Sequence, residues 1–178
     1  MNKIIVIICF LFFSYQIEAQ QYIGKTGVIT FFSEAPMEDI SAINKKVSAV
    51  YDAKTNDIVF QLKIKDFIFP KSLMQEHFNE NYLESDIFPN ATFQGKVLDP
   101  KTYVQTNGKT RVEGDLTIHG QTNKIIVEGE MARNKDKIKI NAKFSVKLVD
   151  YNIDIPTVVM YKIAEEIEID IDIELHKI

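Results

Sequence analysis

From Glu166 to Leu175 the chain alternates acidic and apolar side chains almost without fault. Ile167, Ile169, Ile171, Ile173 and Leu175 point one way, and Glu166, Glu168, Asp170, Asp172 and Glu174 the other. Successive side chains on a strand face opposite sides of a sheet, so this period of two gives one dry face and one wet face. Several earlier segments repeat the pattern. A chain built this way must curl or stack its sheet to hide the dry faces, and a curled sheet has an interior.

The 178 residues suggest one domain, and 46% apolar with 26% charged residues is ordinary for a globular protein. A net charge of −4 speaks against nucleic acid, which asks for a basic surface. Residues 1–19 read as a signal peptide. Lys3 gives a positive start, Ile4 to Phe13 is an unbroken apolar run, and a more polar stretch ends at the small Ala19. The run is short for a bilayer span, so cleavage after Ala19 and no integral membrane span in the mature chain are expected. The sole cysteine, Cys9, lies inside that run, which leaves residues 20–178 without disulfides, thiol catalysis or cysteine metal sites.

Tyr22 to Ser33 reads as a strand with bends at Gly24 and Gly27, followed by a connection to Asn44 with a helical turn at Pro36–Ile40. Lys45 to Ala53 and Asp57 to Phe67 read as the next two strands, joined by a polar turn. The second of them sends Ile58, Phe60, Leu62 and Ile64 to one face. The period then changes. Ser72 with Gln75 has the form of a capping box, and Met74, Phe78 and Tyr82 recur at spacing four, so Ser72 to about Glu84 reads as an amphipathic helix. Strands resume at Ala91–Leu98, Lys109–His119, Asn123–Met131 and Lys137–Val149, where Ile138, Ile140, Ala142, Phe144, Val146 and Leu148 share a face. The wet face of that last strand carries Lys137, Lys139, Lys143 and Lys147, opposite in charge to the final strand. The tally is all-β: about eight antiparallel strands with one inserted helix, arranged as a sandwich or an up-and-down barrel. Eight strands enclose packed side chains or one small ligand.

Ser72-Leu73-Met74, His77-Phe78, Tyr82-Leu83-Glu84-Ser85 and Phe88-Pro89-Asn90-Ala91-Thr92-Phe93 resemble the middle of the YceI-like family. Gly114-Asp115-Leu116-Thr117-Ile118-His119-Gly120-Gln121-Thr122 is similar to that family's hairpin motif. Tyr22 to Val47 matches the family's opening only loosely, and its usual Trp is absent. The resemblance implies an exported protein with a lipocalin-like antiparallel barrel over residues 20–178. It also implies an isoprenoid or other long-chain lipid as partner, held in the lumen. No cofactor is expected, and a homodimer is left open.

Phe60, Leu62, Ile64, Phe93, Leu116, Ile118, Phe144, Val146 and Ile169 are the candidates to line a lumen; the alternative is that they pack together as a filled core. Met74 and Phe78, with Tyr82, either cap a barrel end or simply dock the helix. His119, beside Gly120, reads as a structural turn contact on the polar face, and a lipid-directed enzyme using His119 or Tyr103 is the least favoured reading. His77 near Glu76, Glu80 and Glu84 makes at most a weak metal cluster, because His77 is turned away from Glu76 on a helix. No nucleophile elbow, phosphate loop or dinucleotide fingerprint occurs. The expectation is a binding module without a catalytic site, or else an envelope interaction protein.

Overall fold

Each period-two segment forms a strand, and each strand pairs antiparallel with the next. The strands are β1 (Gln21–Ser33), β2 (Ile40–Asp52), β3 (Asp57–Lys63), β4 (Asn90–Val97), β5 (Lys109–Ile118), β6 (Gln121–Asn134), β7 (Lys137–Lys147) and β8 (Glu166–Lys177). Pairing of β8 back onto β1 closes them into a barrel whose spatial order is the chain order. The computed structural model describes residues 20–34, 39–100, 108–154 and 164–178. The N-terminal segment with Cys9, Pro36 to Glu38 of the expected helical turn, Tyr103 and Pro156 lie outside the described residues. Among the described residues no helix is long and apolar enough to cross a membrane.

Three boundaries differ from the sequence reading, each for a local reason. β2 begins at Ile40 rather than Lys45, because its inward positions include Ala42 and the polar Asn44, which disguise the alternation. Asn44 is fully buried yet satisfied: its Nδ2 donates to the Lys63 carbonyl at 3.0 Å and its Oδ1 accepts the Lys46 N–H at 2.9 Å. β3 stops at Lys63, where the chain turns through a 3-10 turn (Ile64–Asp66) and Ile64 N–H bonds the Pro89 carbonyl. The chain after it bridges from Ile68 to Ile43, covering the part of β2 that β3 does not reach. β7 likewise ends at Lys147 and gives way to a 3-10 turn (Leu148–Tyr151).

The helix is a composite. Helix α1 (Ser72–His77) runs into a π-wound turn (Phe78–Tyr82), closed by Leu83 N–H on the Phe78 carbonyl. The capping box does not form. Lys71 occupies the cap position, Ser72 is already inside the helix, and the Gln75 side chain instead accepts the Phe69 N–H at 3.3 Å. Glu84 falls beyond the helix at a positive φ, so it does not continue the helical series of Glu76 and Glu80.

On the outer face, Lys137, Lys139 and Lys143 of β7 pair with Glu174, Asp172 and Glu168 of β8 at 2.8, 3.2 and 2.7 Å. Inside the barrel lie two apolar clusters. One, toward the helix, gathers Phe31, Phe67, Phe69, Tyr82, Leu116 and Val146; the other, toward the opposite end, gathers Tyr22, Tyr51, Ile58, Met131, Ile138 and Leu175.

Candidate functional site

The inward faces do not meet in the middle. They enclose a cavity of about 240 Å³ whose wall is almost wholly apolar. A site for one water needs only roughly 10–15 Å³ on this measure, so this space is far larger than a single-water site and has room for a run of chain atoms. Several inward residues, among them Phe60, Phe93, Ile118, Phe144, Ile169 and Ile171, are only partly buried although they pack on the core. Their uncovered surface is what a lumen leaves and a filled core would not.

All eleven residues singled out from the sequence stand on this wall: Phe60 and Leu62 on β3, Ile64 in the 3-10 turn, Met74 on α1, Phe78 in the π turn, Phe93 on β4, Leu116 and Ile118 on β5, Phe144 and Val146 on β7, and Ile169 on β8. The structure therefore brings the whole set together. Ile64 gets there from a turn rather than from a strand. Both alternatives for the helix hold at once, since Met74, Phe78 and Tyr82 dock it and line the cavity.

Sequence reasoning missed the aromatic closure of that end. Phe31, Phe67, Phe69 and Phe78 form one cluster, with ring centroids 5.4 Å apart for Phe31–Phe78 and 4.9 Å for Phe69–Phe78. Phe31 alternates with Ile29 and was there to be found. Phe67 and Phe69 follow a strand in irregular backbone and carry no periodic signal. Burial of the ring raises the Tyr82 phenol above its ordinary pKa, which keeps it neutral beside this cluster.

The barrel wall has a slot. The β6–β7 ladder runs only from Gly129↔Ala142 to Asn134↔Lys137, whereas β5–β6 pair from Lys109↔Glu130 to Ile118↔Gln121. Beyond Gly129 the two strands part, and Ile125, Val127, Phe144 and Val146 border the gap from the cavity side. At its mouth Ile126 is 60% exposed and Val149 74%, which gives the opening an apolar lip.

Contacts with the Leu148–Tyr151 turn close the top of the slot. Asn123 Nδ2 donates to the Asp150 carbonyl at 2.6 Å. His119 occupies a two-residue turn with Gly120 in which both φ are positive, the geometry of a type I′ hairpin. Its Nδ1 lies 3.2 Å from the Tyr151 carbonyl oxygen, and its Nε2 lies 2.9 Å from Glu84 Oε2. The Phe88 ring meets the imidazole edge-on at 4.6 Å. His119 is thus a structural contact, as expected, but a part-buried one that joins three segments rather than a solvent-facing one. Desolvation holds the Tyr151 phenol above its usual pKa, with the Asn123 hydrogen bond acting the other way.

Among the described residues the wall includes no lysine or arginine; its ionisable groups are His77 of α1 and Glu130 of β6 together with the Tyr82 phenol, and His119 is not part of it. Among the described residues no group of three or more metal-ligating side chains gathers anywhere. What the arrangement can do is desolvate an apolar chain.

Comparison with known proteins identifies the fold and the family. The family model described as the YceI-like domain matches residues 20–175. A polyisoprenoid-binding domain from Saccharophagus degradans superposes with a TM-score of 0.76 at 11% identity, over 90% of this chain and 99% of its own. BcnA of Burkholderia cenocepacia superposes with a TM-score of 0.68 at 18% identity, over 83% and 95%. The YceI protein of Campylobacter jejuni does so with 0.56 at 17% identity, over 100% and 99%. Curated protein sequences give no match. By the span of the family match, with a barrel shared by these structures, the chain belongs to the YceI-like family.

Proposed function

We propose that this protein is an exported carrier that holds one isoprenoid-like or other long-chain amphiphile in the barrel lumen and performs no chemistry on it. The observation that carries this reading is the enclosed apolar cavity of about 240 Å³ with a lipped slot in its side. Phe60, Leu62, Ile64, Met74, Phe78, Phe93, Leu116, Ile118, Phe144, Val146 and Ile169 would contact the chain of the guest. Kinship with a polyisoprenoid-binding domain supports the class of guest, and the charged, apolar and small-residue layout of residues 1–19 supports export. The absence of chemistry is supported by His119, whose two ring nitrogens are already engaged outside the cavity.

The test is organic extraction of protein purified from its native host, followed by mass spectrometry. One long-chain lipid per barrel is expected. A parallel Ile118→Trp or Ala142→Trp variant fills the lumen and should emerge folded but empty. Recovery of no stoichiometric lipid from the unaltered protein would overturn the carrier reading in favour of an envelope interaction protein.

A further inference from the structure

The slot is edged by main-chain groups that the ladder has released. Met131 N–H donates to the Gly108 carbonyl, so the odd-numbered residues of β6 turn their backbone groups to β5 and the even-numbered ones to β7. Lys177 N–H donates to the Asp136 carbonyl, so the odd-numbered residues of β7 turn theirs to β6. Beyond the last rung, Gly129↔Ala142, Lys124 and Ile126 on one side and Ser145 on the other therefore aim N–H and C=O into the slot, and Lys147 aims its N–H. Among the described residues no backbone partner reaches these groups, and each of these residues is exposed.

Whatever part of a guest lies in the slot must answer those groups. A hydrocarbon chain laid between the two edges would strip water from them and return no hydrogen bond. Charge gives no preference in either direction. Lys124, Lys143 and Lys147 border the slot on its two strands, but so do Glu128 and Glu130, with Asp150 in the turn above. Lys143 is already paired with Glu168 at 2.7 Å, and Lys124 lies 4.0 Å from Glu113. Glu130 also lines the cavity, whereas His77 and the Tyr82 phenol belong to the composite helix. A charged head group thus meets no surplus of opposite charge at the slot. A hydroxyl donates and accepts at once, which matches the two kinds of group that the edges offer.

Resting on the carrier reading above, we infer that the slot between β6 and β7 seats the polar end of the guest, and that this end is an uncharged hydroxyl held by the main chain of Lys124, Ile126, Ser145 and Lys147. The hydrocarbon chain lies behind it in the lumen, against Ile125, Val127, Phe144 and Val146. The guest therefore enters tail first and keeps its head at the barrel wall.

Amide hydrogen exchange followed by NMR on the full mature barrel, with hexadecanol and with hexadecane, is the test. Hexadecanol should slow exchange of the Lys124, Ile126, Ser145 and Lys147 amides several-fold, and hexadecane should not. Ser145→Pro deletes an N–H that the β7–β8 ladder does not use, a change that an open strand edge tolerates. It should weaken hexadecanol binding by roughly two- to tenfold, the range of one net hydrogen bond, and leave hexadecane binding unchanged. Both affinities are read by displacement of the fluorescent apolar probe N-phenylnaphthylamine, with thermal melting to verify the barrel. The exchange measurement needs no substitution and decides the case should Ser145→Pro not melt cooperatively. Protection that appears equally with both ligands, or around His77 on α1 instead, overturns the head-group assignment while the carrier reading stands. If neither chain displaces the probe from the unaltered protein, the carrier reading fails and this inference with it.

Discussion

Gly95 and Gly114 face each other across β4 and β5, and both exist for the sake of Phe93. A Cβ on either would stand 2.7 Å from the Phe93 ring, and one on Gly114 would also collide with the Gln94 carbonyl and with the Gly95 backbone. The missing side chains thus let the ring lie flat against the lumen wall. Gly114→Ala should lower stability by about 1–3 kcal/mol, the usual cost of overpacking a tight site, as read from urea unfolding midpoints; an unchanged midpoint would mean that the two strands separate freely at this point. From sequence, Gly114 reads as one more inward position of an alternating strand, and its role as clearance for a ring on the next strand is invisible. Asn44 is a similar case. A buried amide with both ends satisfied looks in sequence like a break in a strand, because only the fold supplies the Lys63 carbonyl that it meets.

At the scale of elements, alternation was the legible signal wherever both faces of a strand were uniform. β5 and β8 emerge within about two residues of their expected limits for that reason. The composite helix was legible in its spacing of four but not in its winding, since the i to i+5 bond from Leu83 to Phe78 depends on docking against the barrel. The parting of β6 and β7 left no trace in either strand, both of which alternate straight through it. That slot carries a prediction. His119 and Asn123 fasten the Leu148–Tyr151 turn over its upper end without lining the cavity. His119→Gln combined with Asn123→Ala should therefore speed release of a bound apolar probe several-fold in stopped-flow exchange while changing equilibrium affinity little. Equal release rates would place the path of exchange elsewhere on the barrel.

The β7–β8 ladder makes a second prediction at this scale. The hydrogen bond from Lys137 holds the Glu174 carboxyl below its ordinary pKa, and the hydrogen bond to Glu168 holds the Lys143 ammonium above its own. Glu174 thus contributes stability above the unfolded carboxylate value and loses it as pH falls through the lowered folded one. Lys143 contributes below the unfolded ammonium value and loses it as pH rises through the raised folded one. The ladder is complete between those limits, across the whole neutral range. Carboxyl resonances followed by NMR should show Glu174 titrating at higher pH in Lys137→Ala than in the unaltered protein, and an unmoved titration would refute the pairing.

For the molecule as a whole, closure decides what the apolar faces are for. A sandwich built from the same strands would press its two dry faces together, whereas pairing β8 back onto β1 curves a single dry face around an interior too wide for its own side chains to fill. The sequence pattern supports either arrangement; the number of strands that close, and so the width of the lumen, is a property of the pairing. That width sets a length scale for the guest. Until the lumen is full, each added methylene exchanges water for an apolar wall and gains up to ~0.8 kcal/mol, nearly fourfold in affinity. Beyond that capacity the next carbons must leave through the slot, where the Ile126 and Val149 lip shields them only in part. Affinity in a series of primary alcohols of increasing length should therefore climb steeply and then bend to a plateau at the length that fills the lumen, measured by displacement of the fluorescent apolar probe N-phenylnaphthylamine. Ala142→Trp, which fills the lumen, should abolish the climb altogether. A climb that continues unbroken well past that length would mean that the barrel opens wider when occupied than its empty dimensions allow.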